Sequence, residues 1–196
     1  AKNNQVSVGA HPGFNDKKNF GRKKIHLTKK KLSKLLREQL EIINEISLKQ
    51  QWPITHVKPH GALNNMACEN IEISITIGES IKEFNKDLIF VVLPLTEMEK
   101  AAKNLNLKYA CEIFADRNYE DNGQLVSRSK EHASIIDPKI ASSNIIEMLD
   151  NSYIKCYSGK KIKCEIDTIC IHGDGDKAVL IAENLKNSLL QNNFQL

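Results

Sequence analysis

A chain of 196 residues, 41% hydrophobic and with a formal net charge of +4, can bury one core but not two ample ones. So modest a charge, with no aromatic residues interleaved among the basic ones as a stacking platform, excludes a dedicated nucleic-acid binder. The longest apolar run, residues 88–95, is far too short to cross a bilayer, and five cysteines without a Cys-x-x-Cys pair read as reduced, partly buried thiols in a reducing, cytoplasmic compartment.

In chain order, residues 5–9 read as a short strand, with β-branched Val6 and Val8 and a stop at Gly9. A basic stretch from Lys17 to Lys34 reads as a solvated loop and helix face, with attraction of anionic ligands or an acidic partner as the alternative. Residues 28–48 predict an amphipathic helix: Leu32, Leu35, Leu36, Leu40, Ile43 and Ile46 form one stripe, and Thr28 can cap it. Residues 54–58 form a second strand, ended by Pro59, and a helix follows over about residues 69–84.

Residues 88–93 are continuously apolar, as in a parallel strand covered on both faces. Thr96 and Glu99 have capping-box spacing for a helix reaching Leu105. Residues 108–113 make the fourth strand, and Asp137-Pro138 opens a helix to about Leu149. A hairpin over residues 153–165 turns at Ser158-Gly159. Residues 166–172 form the last strand and residues 178–190 the closing helix. Repeated βα units imply an α/β fold with a parallel sheet, either open and doubly wound or part of a barrel. No Gly-x-Gly-x-x-Gly or Walker sequence supports the open, nucleotide-binding alternative.

Polar chemistry collects where strands end. The first strand runs into Gly9-Ala10-His11-Pro12-Gly13-Phe14 with Asp16, then Phe20-Gly21-Arg22; the second into Lys58-Pro59-His60-Gly61-Ala62. The fourth passes into Asp116-Arg117-Asn118-Tyr119 and a long loop to Arg128. The fifth ends at His172-Gly173-Asp174-Gly175-Asp176. Parallel α/β folds bind ligands at carboxyl ends of strands, so His11, His60 and His172 become site candidates, whereas His26 and His56 read as structural. Gly173 and Gly175 could expose backbone donors to a carboxylate or phosphate, and Asp174 or Asp176 could instead cap the last helix. A compact His-Glu-x-x-His spacing is lacking, so no metal site is expected.

The same blocks, with His56-Val57-Lys58-Pro59-His60-Gly61-Ala62-Leu63, Glu112–Tyr119, Leu125-Val126-Ser127-Arg128 and Asp167–Asp174, resemble the LamB/YcsF family of 5-oxoprolinase A subunits over almost the whole chain. The resemblance implies a single β/α-barrel domain over residues 1–196, related to the polysaccharide-deacetylase-like barrels. It also implies ATP-dependent cleavage of 5-oxo-L-proline to L-glutamate, with ATP and magnesium as co-substrate and subunits B and C as partners. The family's opening Asp-Leu-Asn-Cys-Asp strand and a second strand with Asn-x-Ala-Cys-Gly are absent. The barrel is therefore expected to be N-terminally incomplete by about 45 to 50 residues, which would leave two unpaired edges.

For that chemistry Lys58, Arg117 and Arg128 would supply positive charge to a carboxylate or phosphate. His60 and His172 would move protons, His11 would orient a ligand, and Gly173 would offer backbone donors. Asp116 and Asp174 would orient a histidine or hold nucleotide-bound magnesium. A metal-dependent amide or ester hydrolase of deacetylase type, and a non-catalytic binding or structural component, are the competing readings.

Overall fold

The computed structural model describes residues 1–195, which divide into two compact units, Ala1–Ala110 and Cys111–Leu196. Parallel strands alternate with helices in chain order, which is the α/β class expected.

In the first unit β1 (Val8–Ala10), β2 (Ile54–Val57) and β3 (Ile89–Val92) pair in parallel, with Gly9 opposite His56 and Val57 opposite Phe90. Strand β1 begins later than the sequence suggests. Gln5, at φ 54°, closes a 3-10 turn over Lys2–Asn4, and Val6 instead offers its carbonyl to the Trp52 indole N–H. Helix α1 (Lys29–Lys49) is capped by Thr28 as expected, its hydroxyl accepting from the Lys31 N–H. Its buried line is Leu32, Leu36, Leu40 and Ser47, and Ile46, read as part of the stripe, is 53% exposed. At 3.6 residues per turn Ser47 continues the row that Leu36 and Leu40 begin, and Ile46 falls to its side.

The segment after β2 departs from expectation. Gly61–Glu69 is a helix, α2, followed after Asn70 by α3 (Ile71–Phe84), where the sequence pattern suggested one helix starting near residue 69. Asn70 caps α3 by accepting from the Ile73 N–H. Helix α4 (Glu97–Asn104) has Thr96 at its N-cap, and Glu99 accepts from the Leu95 N–H at 2.6 Å, one residue earlier than a capping box would place it. The core of this unit includes Val57, Leu63, Ile77, Phe90 and Met98, all fully buried.

The strand β4 (Tyr109–Phe114) starts on the last two residues of the first unit. In the second unit it pairs in parallel with β7 (Thr168–Cys170), Phe114 opposite Cys170. Between them lie α5 (Pro138–Asn151), capped by Asp137 through the Lys139 and Ile140 N–H groups, and the antiparallel hairpin β5 (Tyr153–Lys155) with β6 (Lys161–Lys163). Helix α6 (Ala178–Gln191) packs against α5, burying Ile181, Leu185 and Leu189. Lys177 occupies its N-cap without a side-chain bond, so neither Asp174 nor Asp176 caps it. None of the five cysteines is in a disulfide among the described residues, and no described helix is long and apolar enough to cross a membrane.

Candidate active site

In the first unit the carboxyl ends of β1 and β2 bring His11 and His60 together. Pairing places Ala10 beside Val57, and the Lys58 N–H donates to the Ala10 carbonyl at 2.9 Å. The His60 N–H donates to Pro12 O at 2.8 Å. The two rings then meet edge to face, centroids 4.8 Å apart, with His60 Nδ1 3.0 Å from His11 Nε2. His11 Nδ1 lies 2.6 Å from Lys58 O, and His60 Nε2 lies 2.7 Å from Phe20 O. All four ring nitrogens are engaged. Lys58 reaches His11 through its backbone carbonyl.

The glycines of both motifs are explained by the His60 ring. A Cβ on Gly13 would stand 3.2 Å from His60 Cβ, and one on Gly21 2.9 Å from His60 Cδ2. Gly21 also has φ +65°, a conformation that disfavours any side chain. Gln39 on α1 clamps Gly13 from behind, accepting from its N–H at 3.1 Å and donating to its carbonyl at 2.8 Å. The His56 ring lies where a Cβ on Gly9 would sit, and Thr55 Oγ1 is 2.9 Å from its Nδ1. Burial and the Lys58 charge lower its pKa, so the ring is neutral at physiological pH.

In the second unit Asp116 and His172, separated by 56 residues in sequence, meet because β4 and β7 are neighbours. His172 Nδ1 lies 3.0 Å from Asp116 Oδ1 and 2.9 Å from Oδ2, and the His172 backbone N–H donates to Oδ2 at 3.3 Å. Burial of Asp116 opposes its ionisation, but the hydrogen bond and charge of His172 outweigh it and hold the carboxyl below its usual range. Phe114 stacks on the imidazole, centroids 5.3 Å apart at 26°. An ionised aspartate accepts only, so it fixes the proton on Nδ1 and leaves Nε2, which has no hydrogen-bond partner among the described residues, as the basic nitrogen. The His172 side chain is 27% exposed, so Nε2 belongs to a ring that a ligand can reach. A carboxylate-oriented, partly exposed imidazole can take a proton from water and return it to a leaving group.

Arg117 is buried and braces the long loop after β4. Its Nε donates to Ala133 O at 3.1 Å and its Nη2 to Val126 O, and Asn118 adds a bond from Nδ2 to His132 O at 2.7 Å. Arg117 also lines a cavity of about 100 Å³ with Asn118, Asn144, Lys155 and Tyr157. Arg128, Gly173 and Asp174 are exposed, and a Cβ on Gly173 would meet open space. The Phe20 carbonyl, Gln39 and the Phe114 ring belong to these clusters and were missed from sequence; backbone acceptors and stacking partners carry no residue signature.

The chain matches the LamB/YcsF family over residues 1–196. It is 41% identical over 196 residues to the 5-oxoprolinase A subunit of Clostridium beijerinckii, covering all of this chain and 77% of that protein. The 5-oxoprolinase A subunit of Staphylococcus epidermidis is 39% identical over 196 residues, with 78% of its length covered. Among solved structures, the lactam utilization protein of Thermus thermophilus superposes with a TM-score of 0.92 at 33% identity, covering all of this chain and 78% of that one.

Proposed function

Since the chain belongs to the LamB/YcsF family, we propose that it acts as the A subunit of a 5-oxoprolinase that opens 5-oxo-L-proline to L-glutamate at the expense of ATP. The observation that carries this reading is the Asp116–His172 pair: a lactam-cleaving site needs a base for water and a donor for the departing nitrogen, and one oriented imidazole serves both.

A five-membered lactam resists hydrolysis because nitrogen donates into its carbonyl. Transfer of the γ-phosphoryl group of ATP to the lactam oxygen, with ADP leaving, gives an O-phosphorylated imidate whose ring carbon is a far stronger electrophile than the lactam carbonyl. Water then adds to the same carbon and gives a proton to His172 Nε2. The C–N bond breaks as that proton passes to nitrogen, leaving γ-glutamyl phosphate, which a second water converts to glutamate and phosphate. Asp116 stays ionised and stabilises the transient imidazolium.

Lys58 in the first unit, and Arg128 in the second, each offer positive charge to a carboxylate or phosphate, and within the second unit the Gly173 N–H is a donor and Asp174 a carboxylate for nucleotide-bound magnesium. Arg117 acts by holding the loop that carries Arg128. His11 and His60, with every ring nitrogen engaged, act as positioning groups. Subunits B and C complete the enzyme, in the cytoplasm, a reducing compartment that suits five cysteines outside any disulfide.

The test is reconstitution. Chain, subunits B and C, 5-oxoproline, ATP and magnesium should form glutamate and ADP together, and omitting the chain or ATP should stop both. Glutamate formation that proceeds without the chain would overturn the assignment.

A further inference from the structure

We propose that His11 and His60 bind one proton jointly, as a histidine–histidinium pair that ties the loops after β1 and β2 together. A carbonyl oxygen only accepts hydrogen bonds, so the nitrogens facing carbonyls must carry hydrogen: His60 Nε2 against Phe20 O at 2.7 Å, and His11 Nδ1 against Lys58 O at 2.6 Å. A neutral imidazole has one N–H. Both rings have then used theirs on the outside, and two bare lone pairs, His60 Nδ1 and His11 Nε2, would face each other at 3.0 Å. A third proton turns that contact into a charge-assisted hydrogen bond, and it belongs to the pair rather than to either ring.

The surroundings hold this geometry in place. His60 has no room to rotate away: Gly13 and Gly21 lie against its ring so closely that a Cβ on either would press on it. Phe20 contacts it edge-on, centroids 5.1 Å apart. Its own backbone N–H is fixed to Pro12 O. The titratable groups on the enclosing elements are Asp16 and Arg22 in the loop after β1 and His56 and Lys58 on and after β2. Lys17, Lys18, Lys23, Lys24 and His26 lie elsewhere in that loop, exposed. Helix α1 meets Gly13 with the neutral Gln39, and α2 carries only neutral side chains before Glu69.

The pair is a positioning device, and its existence does not depend on which reaction the chain serves. With the proton bound, the Phe20–Gly21 turn, the start of α2 and the end of β1 form one hydrogen-bonded assembly. When the proton leaves as pH rises, the inner contact becomes repulsive and one outer bond must break for a ring to turn.

Nitrogen NMR on the chain labelled at its six histidines tests this. Over about pH 6 to 7 the expected spectrum shows three protonated nitrogens shared by the two rings, which lose one proton in a single joint step as pH rises. His11→Asn keeps a donor for Lys58 O but removes the inner partner. In that variant His60 should lose the shared proton and read as a neutral ring bearing hydrogen on Nε2. Unchanged signals from His132 and His172 would show that the second unit is intact, and an unchanged His56 signal would do so for the first. Two neutral rings in the wild-type chain at that pH, or a His60 spectrum indifferent to His11→Asn, would overturn the proposal.

Discussion

Replacing Asp116 by Asn leaves the side-chain shape and removes the charge that orients His172. The lost interaction is a charge-assisted bond at 2.9–3.0 Å from Nδ1, in a part-buried setting. Such a bond is worth about 1.5–3 kcal/mol, and each 1.36 kcal/mol of barrier is about tenfold in rate, so kcat should fall by about 10- to 150-fold from lost imidazolium stabilisation alone. If the new amide turns its NH₂ toward Nδ1, the imidazole proton moves to Nε2 and the base is blocked. The loss can then approach the ~10⁴-fold seen when the aspartate of a catalytic triad is neutralised. KM for 5-oxoproline should move little, because Asp116 touches the base and not the substrate. The assay is glutamate formation by the reconstituted complex, with circular dichroism to verify folding. A folded variant within about threefold of wild-type kcat would refute the role given to the pair.

Gly21→Ala places a methyl 2.9 Å from His60 at φ +65°, so unfolding in urea should show a loss of about 1–3 kcal/mol. Arg117→Lys keeps the charge but cannot span Val126 O and Ala133 O together; a loss of about 2–3 kcal/mol, read by the same method, should accompany looser protection of residues 117–134 in hydrogen exchange. Glu147, bonded by Lys155, Tyr153 and Lys161, has its pKa lowered to about 2. A depressed carboxyl stabilises the fold above its unfolded pKa and loses that contribution as pH falls through the folded one. Thermal midpoints should therefore decline between about pH 4.5 and pH 2 more steeply in wild type than in Glu147→Gln.

Local signals were readable and neighbour relations were not. Thr28, Thr96 and Asp137 cap helices where their spacing predicts, and Ser158-Gly159 turns the hairpin as its residues demand. Helix α2 escaped notice because Pro59 and Gly61 read as loop punctuation, while Ala62, Leu63, Met66 and Ala67 make too short a stripe to register as a helix. Gln5 and Leu95 adopt positive φ without any glycine to announce it. Candidate histidines could be found from their strand-end positions. That His11 binds His60, and that His172 binds Asp116, depends on which strands pair, and α5 and a hairpin intervene between the latter two, 56 positions apart. The carbonyls that set the tautomers, Phe20 O and Lys58 O, are backbone atoms that any residue could supply.

The central claim, that this chain supplies the base for lactam opening, is tested most directly by His172→Ala in the reconstituted complex. Glutamate formation should fall by about 10²- to 10⁴-fold, the contribution of a positioned general base, with the variant still folded and still assembling with its partners. Glutamate formation at the wild-type rate by that folded, assembled variant would contradict the account.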